Sequence, residues 1–247
     1  MKIPILMYHQ ICEQVSPGTP FRGLLVRPAA FRRQMALMHL LGYQGLSMSG
    51  LLPYLQGKAV GKVFGITFDD GYLNNLELAL PVLQRYGFSA TCYAVSRMLG
   101  QTNAWDIAQG VPQVPLMTAK ELSEWIDQGQ EVGSHTCDHL KLPQLDEVSQ
   151  RYQLMQSRMD LERDLPSQEA VRHFCYPYGA FDRDTVQLVQ QAGYQSATTT
   201  RRGRADVGSA NDLLLLPRVL VSRRTSLPLF ALKCFSAYED RRGTSAY

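Results

Sequence analysis

Two carboxylates stand side by side at Asp69-Asp70, closing the apolar run Val63 to Phe68 and followed by Gly71. Adjacent carboxylates on a turn repel each other, so holding them together needs a cation or contact with water. A second strand-like run, Glu131 to Ser134, ends in His135-Thr136-Cys137-Asp138-His139. The four-residue spacing puts both imidazoles on one side if this segment makes a helical turn. Each motif alone is a weak signal. Both at strand ends, they offer two imidazoles and a carboxylate to one divalent cation, an arrangement like that of catalytic zinc sites with open positions for water and substrate. Neighbouring Asp residues in an extended turn point opposite ways, so one can bind the metal while the other takes a proton from a water that the cation acidifies. That chemistry serves attack on an amide or ester carbonyl. A leaving amine also needs a proton donor, so a third histidine or similar acid should stand nearby.

These residues need a scaffold that brings strand ends together. Strand-like runs near 3–8, 63–68, 89–95, 131–134, 173–176, 195–199 and 216–221 alternate with helical patterns. Phe31, Met35, Met38 and Leu41 recur at helical spacing, as do Leu76, Leu80, Leu83 and Tyr86. Thr118-Ala119-Lys120-Glu121 reads as a capping box for a helix ending near Gly129, and Asp182 starts another that stops at Gly193. Over 146–163 a polar-faced helix gathers Val148, Tyr152, Met155 and Met159 on one side. Serial βα units imply parallel strands with right-handed crossovers. The expectation is an α/β chain, an irregular (β/α) barrel forming one domain over 1–247, with an open doubly wound sheet as the structural alternative. Either fold does chemistry at the carboxyl ends of its strands. His9, Asp69-Asp70, His135 to His139 and Pro177-Tyr178-Gly179 all fall at such ends.

Composition sets bounds. The 247 residues are 45% hydrophobic and 19% charged, ordinary for a globular chain, and a net charge of +3 is too mild to point to nucleic acid. Basic residues gather late (Arg201, Arg202, Arg204, Arg223, Arg224, Arg241, Arg242), read as a solvated face in preference to contact with an anionic ligand or membrane surface. The five scattered cysteines suit reduced thiols. The N-terminus reads as a first core strand, not a signal peptide. No apolar stretch approaches the roughly 18 residues of a membrane span. The expected location is therefore the cytoplasm, with the inner-membrane periphery as a variant.

Thr67-Phe68-Asp69-Asp70-Gly71 and His135-Thr136-Cys137-Asp138-His139 closely resemble the first two motifs of the polysaccharide deacetylases (carbohydrate esterase family 4), and Tyr176-Pro177-Tyr178-Gly179 resembles their third. The resemblance implies a distorted (β/α)7 barrel and removal of acetyl from an N-acetylated saccharide. Carried over by position, it makes Asp69 the base, Asp70, His135 and His139 the metal ligands, and the backbone N–H of Tyr178 the donor to the oxyanion. The implied cofactor is a divalent metal, zinc foremost, with Co2+, Ni2+ or Mn2+ as alternatives. Three departures stand out. Tyr176 occupies the position where the family has an Arg bracing the base, and Arg218, after Pro217, is the candidate substitute. The late Asp-Trp pair is not recognisable. No histidine follows His173, so the late histidine is missing.

In a closed barrel the first and last strands are neighbours, so His9 can reach the place of that histidine and act as general acid. Met7-Tyr8-His9 and Ile11, Arg27-Pro28 to Phe31 and Gln34, then Leu41-Gly42-Tyr43, are similar to a permuted branch typified by bacterial poly-N-acetylglucosamine deacetylases. His39 and His173 are expected to have no direct role, and Cys137 and Cys175 to be buried fillers. Loops 12–27 and 96–117 are expected to wall a groove, with Tyr72 and Trp105 as candidates to pack on sugar faces. The last helix (Leu227, Phe230, Ala231, Cys234, Phe235) should dock on the barrel. Two other functions fit the same residues less well: hydrolysis of a non-sugar amide, and a catalytically silent saccharide-binding barrel.

Overall fold

A computed structural model of the chain describes residues 2–208 and 213–243. Seven strands form the barrel: β1 (Ile5–Tyr8), β2 (Val63–Phe68), β3 (Thr91–Ala94), β4 (Glu131–Ser134), β5 (His173–Cys175), β6 (Ser196–Arg202) and β7 (Leu216–Leu220). Each pairs in parallel with the next, and β1 pairs with both β7 and β2, so the sheet closes. Closure excludes the open doubly wound sheet. β2 is buried at all six positions, as a barrel strand covered on both faces must be, and for that reason it reads as a continuous apolar run rather than an alternating one.

Around the barrel lie α1 (Pro28–Leu40), α2 (Met48–Leu55), α3 (Leu73–Leu78), α4 (Leu80–Tyr86), α5 (Ala119–Asp127), α6 (Glu147–Asp164), α7 (Arg183–Gln191) and α8 (Leu227–Phe235). The capping box of α5 forms, with Thr118 and Glu121 bonding each other's backbone N–H at 3.2 and 2.7 Å. Asp182 caps α7. α8 buries Phe230, Lys233 and Cys234 and reaches α1 at its other side, as a docked helix should.

Three sequence readings change. The Leu76-to-Tyr86 pattern is two helices, since Pro81 in the first turn of α4 cannot donate to a continuing ladder. A short strand at Gln44–Leu46 pairs with the start of β2; its centre is Gly45, where a Cβ would meet Ile66 and Phe88 at 2.8 Å. The apolar stripe of α6 faces out: Val148, Tyr152, Met155 and Met159 are exposed, while Gln150, Gln153, Leu154, Ser157 and Leu161 turn inward. The polar inward positions are hydrogen-bonded, Gln153 to the loop after β4, Ser157 to Ser134 and Gln150 to Thr185 of α7, which stabilises an orientation that hydropathy alone would reverse.

Candidate active site

The Asp69-Asp70 pair is divided by a backbone kink. Asp69 extends the ladder, its N–H donating to Tyr8 O at 3.0 Å. Asp70 then takes φ 76° and Gly71 φ 80°. Asp is among the few L-residues that enter this left-handed region readily. The kink sends Asp69 toward the barrel axis and Asp70 toward the loop after β4. There Asp70 Oδ1 lies 3.4 Å from His135 Nε2 and 3.3 Å from His139 Nε2. All three side chains are buried, and their ligand atoms fall within 4.8 Å of one another.

The two imidazoles do not converge through a helical turn. Thr136 (φ 67°) and His139 (φ 56°) are left-handed, so a twisted loop folds the second ring back onto the first. Non-glycine residues held there cost about 1–3 kcal/mol each and need surrounding support. α6 supplies it: Gln153 Oε1 accepts from the N–H groups of Cys137 and Asp138 at 3.0 and 3.1 Å. Thr136 Oγ1 accepts from His139 N–H at 3.0 Å. His135 Nδ1 meets Cys175 O at 2.7 Å, and since a carbonyl only accepts, Nδ1 carries the proton and Nε2 presents its lone pair toward Asp70. His139 stacks on Trp105 with ring centroids 4.5 Å apart, and Tyr178 meets its edge at 4.6 Å.

Asp69 is gripped by Arg218. The fully buried guanidinium donates from Nη1 to Oδ1 at 2.6 Å and from Nη2 to Oδ2 at 2.8 Å, and Nε donates to Thr199 O at 2.9 Å. Nη1 also reaches Thr67 Oγ1, and Nη2 reaches Cys175 Sγ at 3.3 Å. Burial would raise the Asp69 carboxyl pKa, but Arg218 and His9 outweigh it and leave the group below its ordinary value. Burial works the same way on Asp70, and the two histidines hold it well below. His9 Nε2 is 3.8 Å from Asp69 Oδ2, while its buried Nδ1 has no hydrogen-bond partner among the described residues. Asn75 anchors this corner, donating to His9 O at 2.7 Å and accepting from Ile11 N–H.

These side chains open into a cleft of about 1110 Å³, also lined by Phe21, Trp105, Asp106, Lys141, Tyr178, Phe181 and Arg201. Loops 12–27 and 96–117 do contribute walls. Burial, then Asp70, pushes the Asp106 carboxyl up to about 6.

The structure thus brings together His9, Asp69, Asp70, His135, His139, Tyr178 and Arg218. Tyr72 is different: it is buried and does not line the cleft, so it cannot pack on a sugar, and its hydroxyl instead lies beside Asp70 and Asp106. Cys175 is more than a filler, since its carbonyl orients His135 and its sulfur meets Arg218. Sequence reasoning missed Asn75, Gln153 and Lys141. Lys141 lies only two residues past His139, a signal that was available; the other two act through backbone contacts that no motif encodes.

Residues 56–197 match the family model described as polysaccharide deacetylase. A Bacillus subtilis (strain 168) protein, YxkH, assigned by name to the polysaccharide deacetylases, is 30% identical over 239 residues, spanning 96% of this chain and 76% of its own. The poly-beta-1,6-N-acetyl-D-glucosamine N-deacetylase of Staphylococcus epidermidis is 26% identical over 88% of this chain and 78% of its own. Among solved structures, the Streptococcus pyogenes deacetylase PplD in complex with acetate superposes with a TM-score of 0.82 at 27% identity, covering 95% of this chain and 98% of that one.

Proposed function

The chain belongs to the polysaccharide deacetylase family, and from that premise we propose that it is a metal-dependent hydrolase that removes acetyl groups from an N-acetylated saccharide, with 1–247 acting as one catalytic domain. One observation carries the reading: a buried Asp-His-His cluster stands next to a second carboxylate that a buried arginine holds apart from it.

Asp70, His135 and His139 would hold the cation. The donor set fits, with one oxygen and two nitrogens close enough to share an ion and the His135 lone pair already directed by Cys175 O. Two imidazoles and a carboxylate favour zinc, with Co2+, Ni2+ or Mn2+ able to occupy the same donors. When bound, the cation polarises the acetamide carbonyl and acidifies water. Asp69, kept ionised by Arg218, serves as the base that takes the proton of the attacking water. The bidentate grip of Arg218 fixes the direction of that carboxylate. His9, at the end of β1 and facing Asp69, delivers a proton to the departing amine. Tyr178, left-handed at φ 57° and lining the cleft, would support the developing oxyanion through its backbone N–H.

The five free cysteines support placement in a reducing compartment, the cytoplasm. No helix among the described residues is long and apolar enough to cross a membrane.

Metal analysis combined with acetate release from N-acetylglucosamine oligomers and from simple amides tests the proposal. Acetate from the sugars, lost on chelation and restored by zinc, is the expected result. Preferential turnover of simple amides would move the activity to non-sugar substrates; sugar binding without metal or hydrolysis would leave only a binding barrel.

A further inference from the structure

The late arginines do not form one solvated face. Arg202 bonds Glu239 at 2.6 and 2.7 Å, Arg204 bonds Asp240 at 2.8 Å, and Arg223 donates to the carbonyls of Cys12, Glu13 and Leu25. Arg201 behaves differently. It is exposed, lines the cleft, and lies 4.6 Å over the Phe181 ring. Lys141 matches it: exposed, lining the same cleft, with Nζ 5.0 Å from the centroid of Tyr178. Neither cation has a carboxylate within ion-pair distance among the described residues: the cleft's Asp69 is taken by Arg218, its Asp70 by two histidines, and Asp106, its carboxyl pushed up to about 6, pairs with neither Lys141 nor Arg201.

Tyr178 and Phe181 belong to one turn, so the two cations sit over rings of a single strip of wall. That turn is locked to the chain just before Arg201. Gly179 has φ 67°, and a Cβ there would meet Thr200 Oγ1 at 1.9 Å. A cation resting on an aromatic face keeps its N–H donors free for a ligand. The neighbouring wall adds to the field. Loop 12–27 brings Phe21, Gly23 and Leu24 to the cleft and carries Arg22 and Arg27 near Arg223, whose pKa burial and these two cations lower.

Resting on the deacetylase reading, we propose that the substrate is an N-acetylated saccharide bearing an anionic group, a carboxylate or a phosphate, and that Lys141 and Arg201 bind that group. A neutral oligomer leaves both cations unanswered. Hydrolysis breaks the amide C–N bond, gives acetate and leaves an amine that takes up a proton.

The test compares acetate release from a neutral N-acetylglucosamine tetramer, an oligomer containing N-acetylmuramic acid (carboxylate) and one carrying a 6-phosphate. We expect kcat/KM for one anionic oligomer to exceed the neutral one by about tenfold or more, with the advantage shrinking as salt is raised from about 50 to about 500 mM. Whichever anion is preferred identifies the source. The double variant Lys141→Met/Arg201→Gln should bring the anionic-to-neutral ratio toward one, chiefly through KM. Equal turnover of all three oligomers, or a ratio unmoved in the double variant, overturns the proposal. Calorimetric binding of the same oligomers separates it from the reading it rests on. A binding preference for the anion without acetate release overturns the deacetylase activity alone; no binding preference overturns the anion site, whatever the turnover.

Discussion

Each end of the barrel holds a buried histidine beside a carboxylate, yet the two ends are built differently. At the N-terminal end His173 Nε2 meets Ser49 Oγ at 2.9 Å and Nδ1 meets Ser196 Oγ at 2.8 Å. Glu131 accepts from Ser49 Oγ and, at 2.5 Å, from Thr91 Oγ1. Burial lowers the His173 pKa, which suits a neutral ring with one donor and one acceptor, both used. At the C-terminal end His9 Nδ1 and His139 Nδ1 have no partner among the described residues, and Asp70, Thr136, His139 and Tyr178 are left-handed. A satisfied network stabilises; ring nitrogens without a protein partner and left-handed backbone gather instead at functional sites. The same residue types therefore do opposite jobs, and the local completeness of hydrogen bonding tells them apart.

The largest break in this comparison should come from Asp69→Asn, which removes the base but keeps the shape. Turnover should fall by about 10²–10⁴-fold, while metal content stays near one ion per chain by elemental analysis. Asp70→Asn should instead lose the ion. A fully active Asp69→Asn enzyme would remove Asp69 from the mechanism.

Arg218→Met should damage both stability and activity, because it leaves the Asp69 charge buried and unpaired. Breaking a buried pair this way costs about 3–5 kcal/mol, readable as a lower urea midpoint. Adding Asp69→Asn to it should restore most of the stability and none of the turnover. The pair also sets an acid limb. Asp69 is depressed in the folded state, so its contribution is present above the ordinary carboxylate range, near 4, and is lost as pH falls through the folded value. In Asp69→Asn that part of the loss, below a pH of about 4, should vanish.

At the opposite end the sign of the two effects separates. His173→Ala leaves Ser49 and Ser196 without their shared partner and should cost about 1–3 kcal/mol, while kcat/KM of the folded enzyme changes less than twofold. A large loss of kcat/KM at unchanged stability would mean that the lower network is tied to catalysis after all.

How much of this contrast could be read from residues alone follows from what encodes it. The strand ends were legible because barrel strands buried on both faces leave uninterrupted apolar runs, and Asp69-Asp70, His135, His139 and Tyr178 follow directly on them. Arg218 was legible only through the family resemblance, as an arginine after Pro217 on a late strand able to stand in for the one that Tyr176 replaces. The lower network was not, since Ser49 opens a helix containing Pro53 and Glu131 reads as an ordinary strand residue. α6 misled for a physical reason: its inward face is chosen by hydrogen bonds from Gln153 and Ser157 to the mouth and to Ser134, which outweigh its own apolar stripe.

The smallest expected effect sharpens the comparison most, because it reads the cation without reading activity. Burial, then the charge of Asp70, raises Asp106 to about 6 in the folded state. A raised carboxyl contributes stability that is fully present below its unfolded value, near 4, and is lost as pH rises through about 6. Asp106→Asn should therefore flatten the thermal stability profile between those two values. A divalent cation held at Asp70 offsets that charge, so zinc should draw the Asp106 carboxyl back toward the ordinary range in a carbon-13 NMR titration. His173, at the far end of the barrel and locked by Ser49 and Ser196, should titrate identically with and without zinc. If Asp106 ignores the metal, or if His173 responds as strongly, the cation does not sit at Asp70 and the division between the two ends is wrong.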